Sequence, residues 1–195
     1  MKNNLPLTFI LITVVIDAMG IGLIMPVMPE LIQEVEGRDL AMAAVWGGVL
    51  TTIFAAMQFL FGPTIGSLSD RYGRRVMIMG ALAIFVFASI GAMLAQSVQL
   101  FLFFRILQAA VATTMALSRA IVRDIVSQEE AASMMGYVTM GTALVPMFGP
   151  MIGGVLDEAF GWHATFAFLA LAGFATLVLV YLDLGETVTK GGVSF

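Results

Sequence analysis

The sequence predicts an all-α membrane protein with six transmembrane helices, and three observations lead there. Residues of the set AVILMFWYC make up 60% of the 195-residue chain and charged residues only 11%, against about 45–50% apolar and 25% charged in soluble domains. Mean hydropathy is +1.00. The charges lie between long uncharged runs, each close to or longer than the roughly 20 residues a helix needs to cross a bilayer. This composition excludes an ordinary soluble enzyme, a nucleic-acid binder and a disordered chain. With no Cys and a single His, His163, the sequence offers no disulfide framework, no thiolate nucleophile and no His cluster for a metal.

A charge at the bilayer centre costs at least about 2.5–3.5 kcal/mol on insertion scales, so charges delimit the spans. From Asn3 to Pro29 the only charge is Asp17, and Leu40 to Ser69 has none. Val76 to Ser118 contains only Arg105, and the polar group Gln96-Ser97-Val98-Gln99 divides this long run in two. Ala131 to Leu156 and Ala159 to Leu182 complete the set, with His163 neutral. The predicted spans lie near 6–28, 43–65, 76–95, 100–118, 132–156 and 163–182, giving a bundle over 1–182. Residues 183–195 form a polar, Gly-rich tail or the start of a linker.

Span 1 reads as retained rather than cleaved. Its apolar stretch is too long for a signal peptide, Asp17 interrupts it, and Pro26, Pro29 and Glu30 follow where small residues would mark a cleavage site. An even number of spans puts both termini on one side. That side carries Lys2, Arg71, Arg74, Arg75, Arg119, Arg123 and Lys190, whereas the other carries only Arg38, beside six acids. The positive-inside rule therefore places both termini in the cytoplasm. Trp46 and Trp162 at the outer ends, and Tyr72 and Tyr181 at the inner boundary, agree with this orientation. The inner linker Arg119–Glu130 ends in Ser127-Gln-Glu-Glu130, a capping-box pattern suited to starting span 5.

Asp17 is the most informative residue, about 11 residues and so roughly 16 Å from either end of its span. A carboxyl group at that depth faces a wet cavity or a partner, where it is suited to taking up and releasing a proton. The alternative is a neutral packing group hydrogen-bonded to nearby backbone. Membrane-embedded acids are seldom idle, which favours the first reading. Arg105, about five residues into span 4, keeps its charge when buried and so cannot carry protons itself. It can hold an anion or stabilise ionised Asp17, or else snorkel to the outer headgroups. Gln108, three residues on, shares its helix face.

The segment Gly66-Ser-Leu-Ser-Asp70-Arg71-Tyr-Gly73-Arg74-Arg75 reads as an inner loop with a tight turn at Gly73 and three arginines held on the cytoplasmic side. Asp70, at the end of span 2, is placed to pair with an Arg or a helix N-terminus as a latch. In span 5, Gly141, Gly149 and Gly153 share one i±4 row, a groove that admits a close helix neighbour. Pro146 and Pro150 remove backbone donors there and predict a kink.

These residues carry a family resemblance. Gly66-x-Leu68-x-Asp70-Arg71-x-Gly73-Arg74-Arg75 resembles the loop 2–3 signature of the major facilitator superfamily. Asp17-x-x-Gly20-x-x-Leu23-x-x-Pro26 resembles the span 1 motif of its twelve-span drug:proton antiporters. Arg105-x-x-Gln108 is similar to that group's span 4 motif, with Ala109 where Gly is usual. Gly141 followed by Gly149-Pro150-x-x-Gly153-Gly154 resembles its span 5 antiporter motif. The first span is similar to that of tetracycline efflux proteins, and Arg119-Ala-Ile-Val-Arg123-Asp124 to loop 4–5 of bicyclomycin and chloramphenicol exporters.

The resemblance implies a fold of two inverted three-helix repeats per half, with spans 1 and 4 lining the cavity, 2 and 5 facing the other half, and 3 and 6 outside. It implies that Asp17, Arg105 and Gln108 serve proton coupling and substrate, and that Gly66, Asp70, Arg71, Gly73, Arg74 and Arg75 form a cytoplasmic gate. The span 5 glycines and prolines would lie on the surface that slides during alternating access. The implied activity is proton-coupled drug efflux across the cytoplasmic membrane, tetracycline slightly favoured, with protons as coupling ion and no resident cofactor or metal. A metal–drug chelate is a possible substrate. Every motif belongs to the N-terminal six-span half, so a C-terminal half or a second copy is the expected partner. The rival readings are a proton symporter for a sugar or organic acid, separable by the direction of proton movement, and a non-transporting half-size membrane subunit.

Overall fold

The computed structural model describes residues 40–111 and 128–183, which form five helices. These are α1 (Leu40–Tyr72), α2 (Arg74–Met93), α3 (Val98–Val111), α4 (Gln128–Phe160) and α5 (Trp162–Asp183). Among the described residues there is no strand. In terms of the predicted spans, α1 holds span 2, α2 span 3, α3 the outer part of span 4, α4 span 5 and α5 span 6. Asp17, Ser127 and the rest of span 1, and residues 112–118 of span 4, lie outside the described residues. The segments Val45–Tyr72, Arg75–Met93 and Trp162–Leu182 are each long and apolar enough to cross a membrane.

The segment read as an inner loop is almost entirely helix. α1 continues through Asp70 and Arg71 to Tyr72, and only Gly73 separates it from α2. Gly73 makes this possible with φ 99°, a backbone conformation that a Cβ disfavours. Its N–H donates to Ser69 O at 3.1 Å, satisfying one of the carbonyls left open at the helix end. The same construction joins α4 to α5. Gly161, with φ 77°, is the single residue between them, and its N–H donates to Asp157 O at 2.7 Å. α1 and α4 are also of equal length, 33 residues each. Two long helices, each turned by one glycine into the next, thus repeat within the chain, although residue identity does not reveal the repeat.

α2 and α3 are joined differently. The Gln96–Gln99 group falls at the junction, where Ser97 caps α3: its Oγ accepts from Leu100 N at 3.3 Å and its carbonyl from Phe101 N at 3.0 Å.

Burial follows helical periodicity. On α2, Ile78, Ala81, Leu82, Phe85, Ala88, Ser89 and Ala92 form one buried stripe. On α5 the stripe is Trp162, Thr165, Phe166, Leu169, Ala170, Gly173, Thr176 and Val180. These stripes face one another and make the core, with Phe101 of α3 edge-on to Phe166 at 5.4 Å between ring centroids. The opposite faces are no less apolar: Phe87, Leu94, Leu171 and Phe174 are exposed. Helices apolar all round suit a hydrocarbon surround rather than water.

Gly173 sets the α2–α5 distance. A Cβ there would lie 3.0 Å from Phe85 Cδ1 and 3.1 Å from Val86 Cγ2. Gly173→Leu is therefore expected to destabilise the bundle by about 1–3 kcal/mol through overpacking. A thermal unfolding midpoint in detergent unchanged from the parent would show that this glycine does not fix the spacing.

Candidate functional site

The polar site is built on α3, whose buried stripe is Val98, Phe101, Arg105, Gln108 and Ala109. Two of its five positions are polar, while Leu100 and Phe103 point outward. That inversion is costly in hydrocarbon unless the polar groups satisfy one another. They do. Arg105, only 7% exposed, donates from Nη1 to Gln108 Oε1. Gln108, 1% exposed, donates from Nε2 to Ser89 Oγ on α2 at 2.9 Å. Ser89 Oγ in turn donates to Phe85 O at 2.8 Å. The Phe54 ring of α1 covers the guanidinium, with 5.1 Å from Cζ to the ring centroid, a cation–π arrangement.

Arg105 is thus held inside the bundle by three helices and does not snorkel to the outer boundary. Its planar fork offers donors suited to a carboxylate or other anion in an apolar surround. Sequence reasoning identified Arg105 and Gln108 but missed Ser89 and Phe54. Ser89 carries a faint signal as a polar residue in an otherwise apolar span. Phe54 carries none, being one apolar residue among many.

The second cluster lies at the Gly73 turn. Arg75, at the start of α2, donates from Nη2 to Tyr181 O at 2.7 Å and lies 6.0 Å over the Tyr181 ring. Tyr181 is in the last turn of α5, where carbonyls lack helical partners and a cation is favourable. Arg75 therefore ties the glycine turn to the end of α5. Arg71 lies 5.6 Å over the neighbouring Tyr72 ring, and Asp70 is on the exposed side of α1. Arg74 opens α2 beside them. A Cβ on Gly66 would meet nothing within 4 Å, so its surroundings are open.

In α4 the helix is continuous through Gly141, Pro146, Gly149, Pro150, Gly153 and Gly154. Val145, Gly149, Gly153 and Asp157, spaced by four, are all buried. Gly149 and Gly153 therefore lie on the inward side of this bundle, whereas a Cβ on Gly154 would meet nothing within 4 Å. Among the described residues no group of three or more His, Asp or Glu side chains is placed to hold a metal ion.

A buried arginine held by polar partners inside a largely apolar helix bundle, with an arginine-bearing one-glycine turn at one end, is the arrangement found. The family model described as Major Facilitator Superfamily matches residues 10–193. The chain belongs to the Major Facilitator Superfamily. It is 36% identical over 182 residues to the tetracycline resistance protein, class C, of Escherichia coli, covering 92% of this chain and 44% of that protein. It is 40% identical over 137 residues to a chloramphenicol resistance protein of Pseudomonas aeruginosa, covering 69% of this chain and 32% of the relative. Among solved structures, a bacterial homolog of the human lysosomal transporter Spinster, inward-facing and unoccupied, superimposes with a TM-score of 0.84 at 20% identity, over 98% of this chain and 45% of that one. That likeness shows the superfamily fold. The likenesses are to transporters and resistance proteins, not to enzymes. The chain spans less than half the length of the curated relatives it matches.

Proposed function

We propose that this chain is the N-terminal half of a proton-coupled drug exporter of the cytoplasmic membrane, with both termini in the cytoplasm. Its single strongest support is Arg105, a guanidinium buried and hydrogen-bonded within a largely apolar bundle. A cation kept at that desolvation cost suits binding of an anionic or strongly dipolar molecule. The relatives named as tetracycline and chloramphenicol resistance proteins support drugs of those kinds as substrates. Tetracycline is the first candidate, free or as a metal chelate.

In this reading Arg105 and Gln108 hold the drug and Asp17 carries the proton. Proton uptake from outside neutralises Asp17 and releases the drug outward, and proton loss to the cytoplasm resets the site. Asp70 with Arg71, Arg74 and Arg75 forms the cytoplasmic gate around Gly73. The other half comes from a C-terminal six-span unit or a second copy.

The test uses the whole native gene product in inverted membrane vesicles with an acid-inside pH gradient. An exporter exchanging drug for protons should accumulate tetracycline inside the vesicles, and a protonophore should abolish the accumulation. A symporter would move substrate out of the lumen under the same gradient. If neither tetracycline, chloramphenicol nor bicyclomycin accumulates, drug–proton exchange is refuted.

A further inference from the structure

We infer that Ser89 is a positioning residue for Arg105, fixing through Gln108 the orientation of the guanidinium; the inference rests on the role proposed above for Arg105. Ser89 is 0% exposed, on α2, a helix the family motifs leave without a function beyond its arginine-bearing start. Its hydroxyl proton is committed to Phe85 O at 2.8 Å. Toward Gln108 the oxygen therefore acts only as an acceptor. An amide presents a donor on one side and an acceptor on the other. With Ser89 accepting, Gln108 must turn Nε2 toward it, at 2.9 Å, and so must turn Oε1 toward Arg105 Nη1. The flipped amide would set carbonyl against lone pair at Ser89 and N–H against N–H at Arg105. The donor-only guanidinium requires Oε1 on its side, and the Ser89 hydroxyl pins the opposite side of the amide, fixing with it where the arginine fork is anchored.

The close fit of α2 on α3 serves the same geometry. Gly91 packs directly beneath the Phe104 ring, where a Cβ would come within 2.3–2.5 Å of three ring carbons. That lets the two helices approach to hydrogen-bonding distance across the Ser89–Gln108 contact.

The experiment uses the native gene product in inverted vesicles, with tetracycline uptake rates normalised to protein in the membrane. Ser89→Ala should raise the half-saturating tetracycline concentration about tenfold while leaving the maximal rate within about twofold, the effect of one misdirected hydrogen bond to a charged group. Ser89→Thr, which keeps a hydroxyl able to back-bond within the helix, should stay near the parent. Ser89→Ala should add nothing in a Gln108→Ala background, because both changes act through one contact. Loosened packing would instead give additive losses and a lower maximal rate. If Ser89→Ala does not accumulate in the membrane, Ser89→Cys, similar in size but a poor acceptor, carries the same comparison. Additive effects of Ser89 and Gln108, or parental half-saturation in Ser89→Ala, overturn the inference while the Arg105 role stands. Normal transport by Arg105→Gln overturns both together.

Discussion

Arg105→Gln should abolish tetracycline export while the protein still reaches the membrane at parental levels. The guanidinium is 7% exposed, and its cost of burial is offset by Gln108 and by the Phe54 face. Replacing it by a neutral amide removes that cost. Stability therefore does not explain the expected loss. On the proposed role, what disappears is the charge that would hold the substrate, worth about 3 kcal/mol for a desolvated, charge-assisted contact, or roughly a hundredfold in rate at low substrate. Arg105→Lys should fall between, because a point charge cannot keep both the Gln108 bond and a bidentate contact to an anion. Initial uptake rates in inverted vesicles, set against immunoblots of the same membranes, make the measurement. A rate within twofold of the parent for Arg105→Gln would remove Arg105 from the substrate site.

Asp17→Asn should lose all uptake driven by a pH gradient yet keep exchange of external for internal drug. Asparagine matches the size and polarity of the protonated acid but cannot release a proton, so one state of the cycle becomes unreachable. Exchange of drug for drug needs no such release and should persist. Asp17 lies in span 1, outside the described residues, and its role rests on its depth and the span 1 motif. Comparing gradient-driven accumulation with counterflow of labelled drug separates the two activities. Accumulation at the parental level by Asp17→Asn would eliminate it as the coupling group.

The helices were legible because a bilayer imposes one rule on length and apolarity, and α1, α2 and α5 follow it between charges. Which face of each helix turns inward was not legible. In water Phe85 and Phe87 would be told apart by their neighbours' polarity, but here both lie in an apolar span and only Phe85 is buried. Arg105 was legible because a charge in a span is rare. Its partners were not, because the Gln108–Ser89 bond depends on the register of α2 against α3, which no single-helix pattern encodes. The stretch Gly66–Tyr72 read as a loop because it is small, polar and charged. It is helical because a helix can continue past the apolar boundary with its charged side chains exposed, until Gly73 ends it. The span 5 glycines show the same gap: their spacing predicted a groove, and the fold places Gly149 and Gly153 on the inward side of this bundle.

The one-glycine turns have a mechanical consequence. α1 and α4, at 33 residues, are each about 50 Å long. Each is pinned to its successor by a single residue that leaves no slack, so the pair cannot slide apart. It can pivot. A 50 Å arm turned by about 10° at Gly73 or Gly161 sweeps its far end through roughly 9 Å. The two pivots sit at opposite ends of the bundle, because α1 and α4 each run to their own glycine from the other face. Small torsional changes at two backbone positions would in this way become wide displacements at the far helix ends, and the Arg75–Tyr181 hydrogen bond ties the Gly73 turn to the end of α5.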